Sequence, residues 1–546
     1  MTWPERRVAV IGGYGVFGSL LCELLTQDGH HVWVAGRTAA KAQEVAARIG
    51  AEALAVDRTG DLSALWALGP DVVIDAAGPF HAYDGDPYAL VRACLEAGVH
   101  YLDLSDDAAF TAGITALERE AQAAGRVALS GVSSVPGISS VVAAHLSGGL
   151  TDLRLIESAI LPGNRAPRGL SVIASILNQM GRPMQIWRGG AWREVPAWSG
   201  RRLYDLDSAT RRAARLITVP DLALFPKAFG ARSVLFRAGM ELRVMNLGLV
   251  LFGWLRRAGL IAPTDGVVWA MQWVADRLEP FGSDLGSMVV DVVGDDNGQT
   301  LRRRWRLIAE AGRGPYIPGI AARTIVRQLD AVPPGARACV AEVSLPGIEE
   351  AMSDLSIRFE REDADHAPLF QRVLGSSWAE LPAPNRRLAD VHDVEVFTGR
   401  ARIDRGTGWL VRLGAALFGF PPAGDDVPVT VTKTRHSDGE VWERDFAGRR
   451  FRSHLTPAGT PGRVFERFGP VRFELDLPVR DGAMQLPVLR GWVLGVPIPG
   501  VLLPISDSRE YTEDGVFHFD VGLIAPLGLG LVVRYRGWLK PDGEAP

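Results

Sequence analysis

Short apolar runs alternate with stretches of helical spacing along the first 130 residues of this 546-residue chain. Each run is bounded by glycines or polar residues, as expected of a buried strand. The runs lie at residues 8–11, 31–35, 53–56, 72–75, 99–104 and 127–129. Apolar residues at helical spacing lie between them, most clearly at 17–25, 86–97 and 108–124. Strands and helices that alternate in this way predict an α/β domain over residues 1–145, with a doubly wound parallel sheet of Rossmann type.

A second type of pattern follows, with strands joined by turn-rich connections. Strands are predicted at 153–161, 289–293 and 304–309. The glycine- and aspartate-rich stretch 294–298 predicts a hairpin turn. A helix is expected to open at 314–318 and to end near residue 329. We therefore predict an α/β (α+β) substrate or dimerisation domain over residues 146–360, which returns to the first domain near 315–330.

The last third of the chain alternates apolar and polar residues over short runs. These runs lie at 429–434, 440–444, 471–477, 516–521 and 531–535. Asp-Gly pairs at 438–439, 481–482 and 514–515 are strong signals for hairpin turns. A charged stretch at 361–365 precedes this region. We predict a mostly antiparallel β domain over residues 366–546.

An apolar-rich segment at 244–255 is bracketed by Arg243 on one side and by Arg256 and Arg257 on the other. Twelve residues are too few to span a bilayer, which needs about 20. One interpretation is an interfacial segment that makes peripheral membrane contact or accepts a lipid-like substrate. The other is a buried helix with arginines at its ends.

A glycine-rich turn joins the first strand to the first helix. Gly13, Gly15 and Gly18 form a G-x-G-x-x-G pattern in the strand-to-helix context that dinucleotide binding requires. The first glycine allows a tight bend, the second lets the backbone approach a diphosphate, and the third lets the helix pack on the strand. The helix N-terminus would then hold the phosphates. The predicted contact residues are Gly12, Gly13, Tyr14, Gly15, Val16, Phe17 and Gly18.

The second strand ends in Arg37 and Thr38, where an NAD site usually has Asp or Glu. Arg37 would place a guanidinium beside the 2′-phosphate of NADP, with Thr38 and Lys41 as helpers, and a solvated arginine is the alternative. Asp57, after the third strand, is a predicted neighbour of the adenine. The pattern therefore predicts NADP as the cofactor.

The exit of the fourth strand would border the nicotinamide. Its residues are Ala77, Gly78, Pro79 and Phe80. Tyr101 and Asp103 lie at the end of the fifth strand, at the sheet edge where ligands bind in open α/β folds. They are candidate proton donors, and structural packing is the alternative. Asn164, Arg165 and Arg168 follow the strand at 153–161 and could bind a substrate, or could form a surface loop.

The order of the motifs GGYGVFG, AGR, VVIDAAGPF and ACLEAGVHYLDLS resembles the saccharopine dehydrogenase-like NADP-binding domain. The resemblance is clear over residues 6–145 and loose to about 350. It implies an NADP-dependent oxidoreductase whose second domain often mediates dimerisation, so a homodimer is expected. The chain departs from the family pattern at 105–107 and at 132–140, so the cofactor is better supported than any substrate.

Segments at 369–374, 495–499 and 534–538 resemble the uncharacterised DUF4166 domain. This region carries several polar groups on or beside its predicted strands, and they could line a pocket or form the solvated face of a sheet. They are Glu510, His518, Asp520, Arg534 and Tyr535.

Composition narrows the classes of function. The net charge of −4 gives no surplus of cations for nucleic acid. Three distant cysteines and scattered histidines offer no metal-ligand spacing, so no metal is predicted. The first ten residues lack a signal-peptide pattern, so a cytoplasmic protein is expected.

These observations predict an enzyme, an NADP-dependent oxidoreductase that reduces a carbonyl, C=C or C=N group of a larger apolar substrate, such as a polyketide-like, isoprenoid or acyl chain. The apolar substrate is suggested by the segment 244–255, the 15 tryptophans and the extra β domain. Two alternatives are an NADP-binding sensor without turnover and a peripheral membrane protein that binds lipid.

Overall fold

The computed structural model describes residues 3–80, 83, 85–167, 169–206 and 210–543. Its contacts separate two compact units. The first unit comprises residues 1–298 and 302–364, and the second comprises 299–301 and 365–546. The finer division of the first unit near residue 145 stays a prediction.

The strands of the first part of the chain are β1 Arg7–Ile11, β2 His31–Gly36, β3 Glu52–Ala55, β4 Val72–Asp75, β5 His100–Asp103, β6 Val127–Ser130, β7 Thr151–Leu161, β8 Pro183–Arg188, β9 Ala191–Pro196, β10 Arg202–Asp205, β11 Arg211–Leu216, β12 Val234–Gly239, β13 Gly286–Asp296, β14 Gln299–Ala309, β15 Gly335–Ala338 and β16 Ile357–Asp365. Its helices are α1 Val16–Gln27, α2 Ala39–Ile49, α3 Ser63–Ala67, α4 Ala89–Glu96, α5 Ala108–Gly113, α6 Glu118–Ala124, α7 Ser139–Ser147, α8 Leu170–Gln179, α9 Asp221–Phe229, α10 Arg243–Arg257, α11 Asp265–Leu278, α12 Ile317–Arg327 and α13 Leu345–Glu350.

Seven parallel strands form the first sheet, in the order β15-β6-β5-β4-β1-β2-β3. The central strands are buried along almost their whole length, as expected when helices cover both faces of a parallel sheet. All six predicted strands are present, so the Rossmann-type fold class is confirmed. The segment 108–124 is not one helix, because a 3-10 turn at Ile114–Leu117 separates α5 from α6. Strand β15, which the sequence did not predict, adds a seventh strand beside β6.

The second sheet is mixed, with the order β10-β11-β12-β7-β13-β14-β16, and β8 and β9 extend from β12. The turn between β13 and β14 is Asn297-Gly298, with φ of +50° and +88°. It is shorter than the predicted turn at 294–298. After a bulge, Asp295 still pairs with Thr151 of β7, so the polar end of β13 remains in the sheet.

A buried cluster of charges joins α1 to α12. Asp28, just after α1, accepts hydrogen bonds from Arg323 at 2.6 and 2.9 Å and from Arg327 at 2.6 and 2.7 Å. Arg323 also donates two hydrogen bonds of 2.8 Å to Asp354, and its side chain is only 2% exposed. Burial alone would raise the pKa of Asp28, but the hydrogen bonds and charges of the two arginines lower it. The cluster holds the returning helix α12 against the end of α1.

Helix α10 contains the apolar segment 244–255 and exposes one side of it. Leu247, Leu251 and Trp254 are 65%, 56% and 68% exposed, whereas Leu249 and Phe252 are buried. The interpretation as a fully buried helix is therefore wrong. Among the described residues, no helix is long and apolar enough to cross a membrane. Peripheral membrane contact through this helix stays a prediction.

The elements of the second unit are helices α14 Leu369–Leu374, α15 Ala383–Ala389 and α16 Trp409–Leu417, and strands β17 Val394–Arg405, β18 Gly424–Arg435, β19 Glu440–Phe446, β20 Arg449–Pro457, β21 Arg463–Phe468, β22 Val471–Asp476, β23 Val479–Arg480, β24 Ala483–Gln485, β25 Val488–Val493, β26 Val496–Pro497, β27 Ile505–Glu513, β28 Val516–Ala525 and β29 Gly530–Pro541.

These thirteen strands form one antiparallel sheet, in the order β23-β24-β27-β28-β29-β17-β18-β19-β20-β21-β22-β25-β26. Two of the predicted turns, Asp481-Gly482 and Asp514-Gly515, have positive φ at both residues. Turns of this type are favoured in hairpins, because their backbone twist matches that of the paired strands. The predicted antiparallel β fold is confirmed.

We expect Arg323→Met to lower the free energy of unfolding by about 3 kcal/mol, because the buried Asp28 loses two hydrogen bonds and keeps only those from Arg327. Chemical denaturation followed by circular dichroism measures this change. Arg358→Met is the matched control, since Arg358 forms only exposed ion pairs and its loss costs about 1 kcal/mol or less. Equal losses in the two variants would contradict the structural role of the buried cluster.

Candidate functional site

The turn between β1 and α1 brings the backbone unusually close to the segment after β4. Gly12 has a φ of +77°, and a Cβ at this position would lie 2.7 Å from the carbonyl carbon and oxygen of Ala76. Its N–H donates a 2.9 Å hydrogen bond to the Ala35 carbonyl at the end of β2. Only glycine satisfies both the left-handed conformation and the close approach.

Two further glycines set the position of α1 against this turn. A Cβ on Gly18 would collide with the carbonyl oxygen of Gly12, and one on Gly13 would lie 2.8 Å from the carbonyl oxygen of Val10. The ring of Tyr14 lies directly against Gly36, where a side chain would also collide. The glycine pattern therefore lets the helix begin immediately at the carboxyl end of β1.

The N-terminus of α1 is free to receive an anion. Gly15 is its N-cap, no side chain caps the helix, and its first turn contains no acidic residue. Because the first N–H groups of a helix lack intrahelical partners and carry partial positive charge, they bind phosphate groups well. Val16 and Phe17 are half-buried beside these groups. This arrangement suits a diphosphate.

An exposed cation lies at the neighbouring strand end. Arg37 and Thr38, directly after β2, are both exposed, and so is Lys41 in the first turn of α2. Asp57, after β3, accepts hydrogen bonds from the N–H and hydroxyl of Thr59 at 3.0 and 2.9 Å. These bonds, with a smaller contribution from the charge of Arg37, lower the pKa of Asp57.

The segment after β3 is tied to the end of β4 by a group that sequence reasoning missed. The Arg58 guanidinium lies 3.3 Å from the carboxylate of the fully buried Asp75 and 3.3 Å from the ring centroid of Tyr83. The Tyr83 hydroxyl donates a 3.4 Å hydrogen bond to the same carboxylate. Burial raises the pKa of Asp75, although the charge of Arg58 opposes this shift. The sequence signal that could have indicated this contact is Asp75 itself, an aspartate at the end of the apolar run VVID.

The exit of β4 runs along the edge of the sheet. Ala77 donates its N–H to Asp75 at 3.0 Å, and Gly78 and Pro79 are exposed and joined by a cis peptide bond. Phe80 turns inward, where its ring packs 5.2 Å from that of Phe110. The exposed backbone at 78–79 is accessible to a planar ring, while Phe80 anchors the segment.

Both candidate proton donors are enclosed. Tyr101 and Asp103 are 0% exposed, and within the described part of the chain neither the Tyr101 hydroxyl nor Oδ2 of Asp103 has a hydrogen-bond partner. Oδ1 of Asp103 accepts hydrogen bonds from the Ser105 N–H, the Gly131 N–H and the Ser130 hydroxyl at 2.8–2.9 Å. Burial raises the pKa of Asp103 to about 7, despite these hydrogen bonds. Asp103 therefore joins the ends of β5 and β6.

The three predicted substrate residues are not equivalent. The Asn164 side chain is 1% exposed and donates a 2.6 Å hydrogen bond to the Leu278 carbonyl, so it anchors the end of α11. Arg165 is exposed and donates a long hydrogen bond of 3.5 Å to the Pro280 carbonyl. Arg168 lies outside the described residues. The described residues contain no cluster of metal-binding side chains.

We expect Gly12→Ala to weaken NADPH binding at least about tenfold, because its Cβ would push the turn away from the segment after β4. Fluorescence titration with NADPH measures this change. Gly29→Ala is the control: Gly29 also has a positive φ, +84°, but a Cβ at this position would have no heavy atom within 4 Å. Equal weakening in the two variants would show that backbone strain, and not the close approach, governs binding.

Comparison with known protein families agrees with the two resemblances seen in the sequence. Residues 8–129 match the family described as the saccharopine dehydrogenase NADP binding domain. Residues 385–539 match the domain of unknown function DUF4166.

Solved structures with a similar chain course include three dehydrogenases or reductases. Apo saccharopine dehydrogenase (L-Glu forming) from Saccharomyces cerevisiae is 16% identical, with 65% of this chain and 100% of that chain covered and a TM-score of 0.45. A probable dehydrogenase from Thermotoga maritima is 12% identical, with 65% and 98% covered and a TM-score of 0.32. Biliverdin reductase from Synechocystis, in complex with biliverdin and NADP+, is 13% identical, with 63% and 95% covered and a TM-score of 0.29.

The family matches bear on residues 8–129 and 385–539. Residues 8–129 are thus similar to the NADP-binding domain of the saccharopine dehydrogenase family, and residues 385–539 are similar to the DUF4166 domain.

Proposed function

We propose that the protein is an NADP-dependent oxidoreductase that reduces a carbonyl, C=C or C=N group of an apolar substrate. The observation that carries this proposal is the uncapped N-terminus of α1, held by Gly12 and Gly18 against the strand ends of an NADP-binding domain. A bound NADPH supplies the hydride, while the protein supplies binding, orientation and proton delivery.

The residues that would hold the cofactor follow the edge of the sheet. The N–H groups at the start of α1 bind the diphosphate, and Arg37 binds the 2′-phosphate because its exposed guanidinium follows β2 directly. Thr38 and Asp57 lie beside the adenosine. The segment 77–80 borders the nicotinamide, with Phe80 anchored in the core.

Asp103 is proposed as the proton source and Tyr101 as its neighbour on the same face of β5. A general acid works best with a pKa near the working pH, and burial gives Asp103 a pKa of about 7. Three hydrogen bonds fix one carboxyl oxygen, while the other has no partner among the described side chains and backbone groups. The carboxyl end of β5 is also the edge where open α/β sheets bind their substrates.

An apolar substrate is supported by the character of α10, in the same compact unit. Leu247, Leu251 and Trp254 form an exposed apolar stripe on that helix. Asn164, Arg165 and Arg168 were predicted to bind a substrate carboxylate or carbonyl. The side-chain amide of Asn164 instead donates to the end of α11, and binding of substrate by the two arginines stays a prediction.

We expect Arg37→Glu to weaken NADPH binding at least about tenfold and NADH binding less than threefold, because an anion would then face the 2′-phosphate. Parallel calorimetric titrations with the two coenzymes measure both effects. Arg48→Glu, the same change of charge at an exposed position in the last turn of α2, is the control. Equal weakening of NADPH and NADH by Arg37→Glu would refute the role of Arg37.

The reaction is tested with NADPH deuterated at C4 and a panel of apolar ketones, enones and imines. We expect deuterium in the reduced product, and a kcat that falls as the pH rises above about 7 because Asp103 then loses its proton. Asp103→Asn keeps an oxygen for the three hydrogen bonds but cannot give a proton. It should lower kcat at least about tenfold and flatten the pH profile.

Asp106→Asn, on the exposed turn after β5, is the matched control and should leave both kcat and its pH profile unchanged. Tight NADPH binding without label transfer to any compound of the panel would favour the alternative of a non-catalytic NADP sensor. Full activity of Asp103→Asn would make Asp103 a positioning residue for the turn at Ser130 and Gly131.

A further inference from the structure

The antiparallel sheet of the second unit curls around an apolar cavity of about 570 Å³. Residues from most of its strands line this space, and they are mainly aliphatic and aromatic. On β28, Phe517, Phe519 and Val521 face inward, while His518 and Asp520 between them face outward. Binding pockets for small molecules have volumes of about 300–1,000 Å³ and mostly apolar walls. The cavity thus has the size and the lining of a binding site.

The sequence left open whether the polar residues of this domain line a pocket or form a solvated face, and the answer differs between residues. Asp520 pairs with Arg534 on the outer face through two hydrogen bonds of 2.7 Å. Glu510 and Tyr535, in contrast, line the cavity. His518 stacks on Tyr511 outside it, with ring centroids 5.5 Å apart.

A small polar group of side chains lies inside the apolar wall. Lys433 and Glu510 both line the cavity, as do Arg444 and Glu466, whose charged groups are 3.3 Å apart. Lys433 donates a 2.8 Å hydrogen bond to the Leu388 carbonyl and lies 3.7 Å above the Trp442 ring. Arg444 and Glu466 are therefore paired with each other, and Lys433 is anchored to the backbone.

Glu510 is different, because within the described part of the chain its carboxyl group has no hydrogen-bond partner. Its side chain is half-buried and lines the cavity. Burial raises its pKa, and the charges of Lys433 and Arg444 oppose this shift. An enclosed carboxyl group without a partner is costly, so a ligand that donates a hydrogen bond would stabilise it.

The balance of charge indicates which head group fits. Among the charged groups that line the cavity, the two cations Lys433 and Arg444 already balance the two carboxyl groups Glu466 and Glu510. An anionic head group would add a further negative charge beside Glu510. A neutral hydroxyl group can donate a hydrogen bond to the Glu510 carboxyl group, and its oxygen can also accept one. It therefore fits this position better than a carboxylate does.

Strand β27 gives the cavity a direction. Ser506, Ser508 and Glu510 face inward at alternate positions, starting next to the exposed Ile505. Five residues of strand place Glu510 about 17 Å along the strand from Ile505. Two residues beyond Glu510, Thr512 donates a 2.6 Å hydrogen bond to Asn385 of α15, so this helix covers the deep end.

The opposite end of the cavity opens among exposed apolar side chains. Leu502 and Leu529 line the cavity and are 45% and 46% exposed. Leu494, Val501 and Leu527, in the neighbouring loops, are more than 70% exposed. A continuous apolar path therefore leads from this rim to Glu510.

We propose that the DUF4166 domain binds a neutral, long-chain apolar molecule with a terminal hydroxyl group, whose hydroxyl donates a hydrogen bond to Glu510 while its chain extends toward the rim at Leu502 and Leu529. This site is separate from the NADP-binding edge and does not depend on the proposed reductase activity.

Equilibrium binding of radiolabelled 1-tetradecanol and tetradecanoate to the full-length protein tests the proposal. We expect saturable binding of the alcohol, at least about tenfold tighter than that of the carboxylate. Val521→Trp and, independently, Leu523→Trp fill the cavity and should abolish binding of the alcohol. The unfolding transition and the NADPH affinity of each variant show that it is folded.

Glu510→Gln removes the negative charge at nearly constant shape, so it should reduce the preference for the alcohol over the carboxylate at least threefold. Glu513→Gln, an exposed carboxyl on the same strand, is the matched control and should leave that preference unchanged. The proposal is overturned by the absence of saturable tetradecanol binding, by binding that survives in both folded tryptophan variants, or by tighter binding of tetradecanoate.

Discussion

The approach of Gly12 to the backbone after β4 is the contact on which the candidate cofactor site depends. Without side chains at Gly12 and Gly18, helix α1 starts against the ends of β1 and β4, and its unpaired N–H groups point to the edge of the sheet. A methyl group at either position would separate these segments. The parallel sheet keeps the strand ends in fixed positions, and the absence of side chains at the two glycines lets the backbone segments approach each other. The N-terminus of α1 adds a partial positive charge at this edge.

The amino-terminal fold could be predicted from the sequence because its strands are buried on both faces. Continuous apolar runs and a glycine turn in the right order leave few other arrangements. Strand β15 was missed because it is formed by Gly335–Ala338, a short segment without a strong apolar run, which joins the sheet only by pairing with β6. The helix predicted at 108–124 is interrupted by a tighter turn at Ile114–Leu117 that helical periodicity does not reveal.

The candidate site was less predictable, because several of its interactions join residues far apart in the chain. The glycine turn and Arg37 were visible as local motifs. The contact between Arg58 and Asp75 joins the loop after β3 to the end of β4, which only the strand order brings together. Period-two alternation correctly placed His518 and Asp520 on one face, but the curvature that encloses Glu510 comes from the pairing of thirteen strands. No single segment encodes that curvature.

The bridge from Arg58 to Asp75 also bears on how ordered the candidate cofactor site is before a ligand binds. In the sheet order, β1 and β2 lie between β4 and β3, so this bridge makes the chain after β3 fold back across two strand ends. The entropy of fixing that loop is lost during folding and not during ligand capture. The residues at this edge are therefore ordered before a ligand binds. Less of the free energy of the ligand's contacts is then offset by the loss of loop entropy.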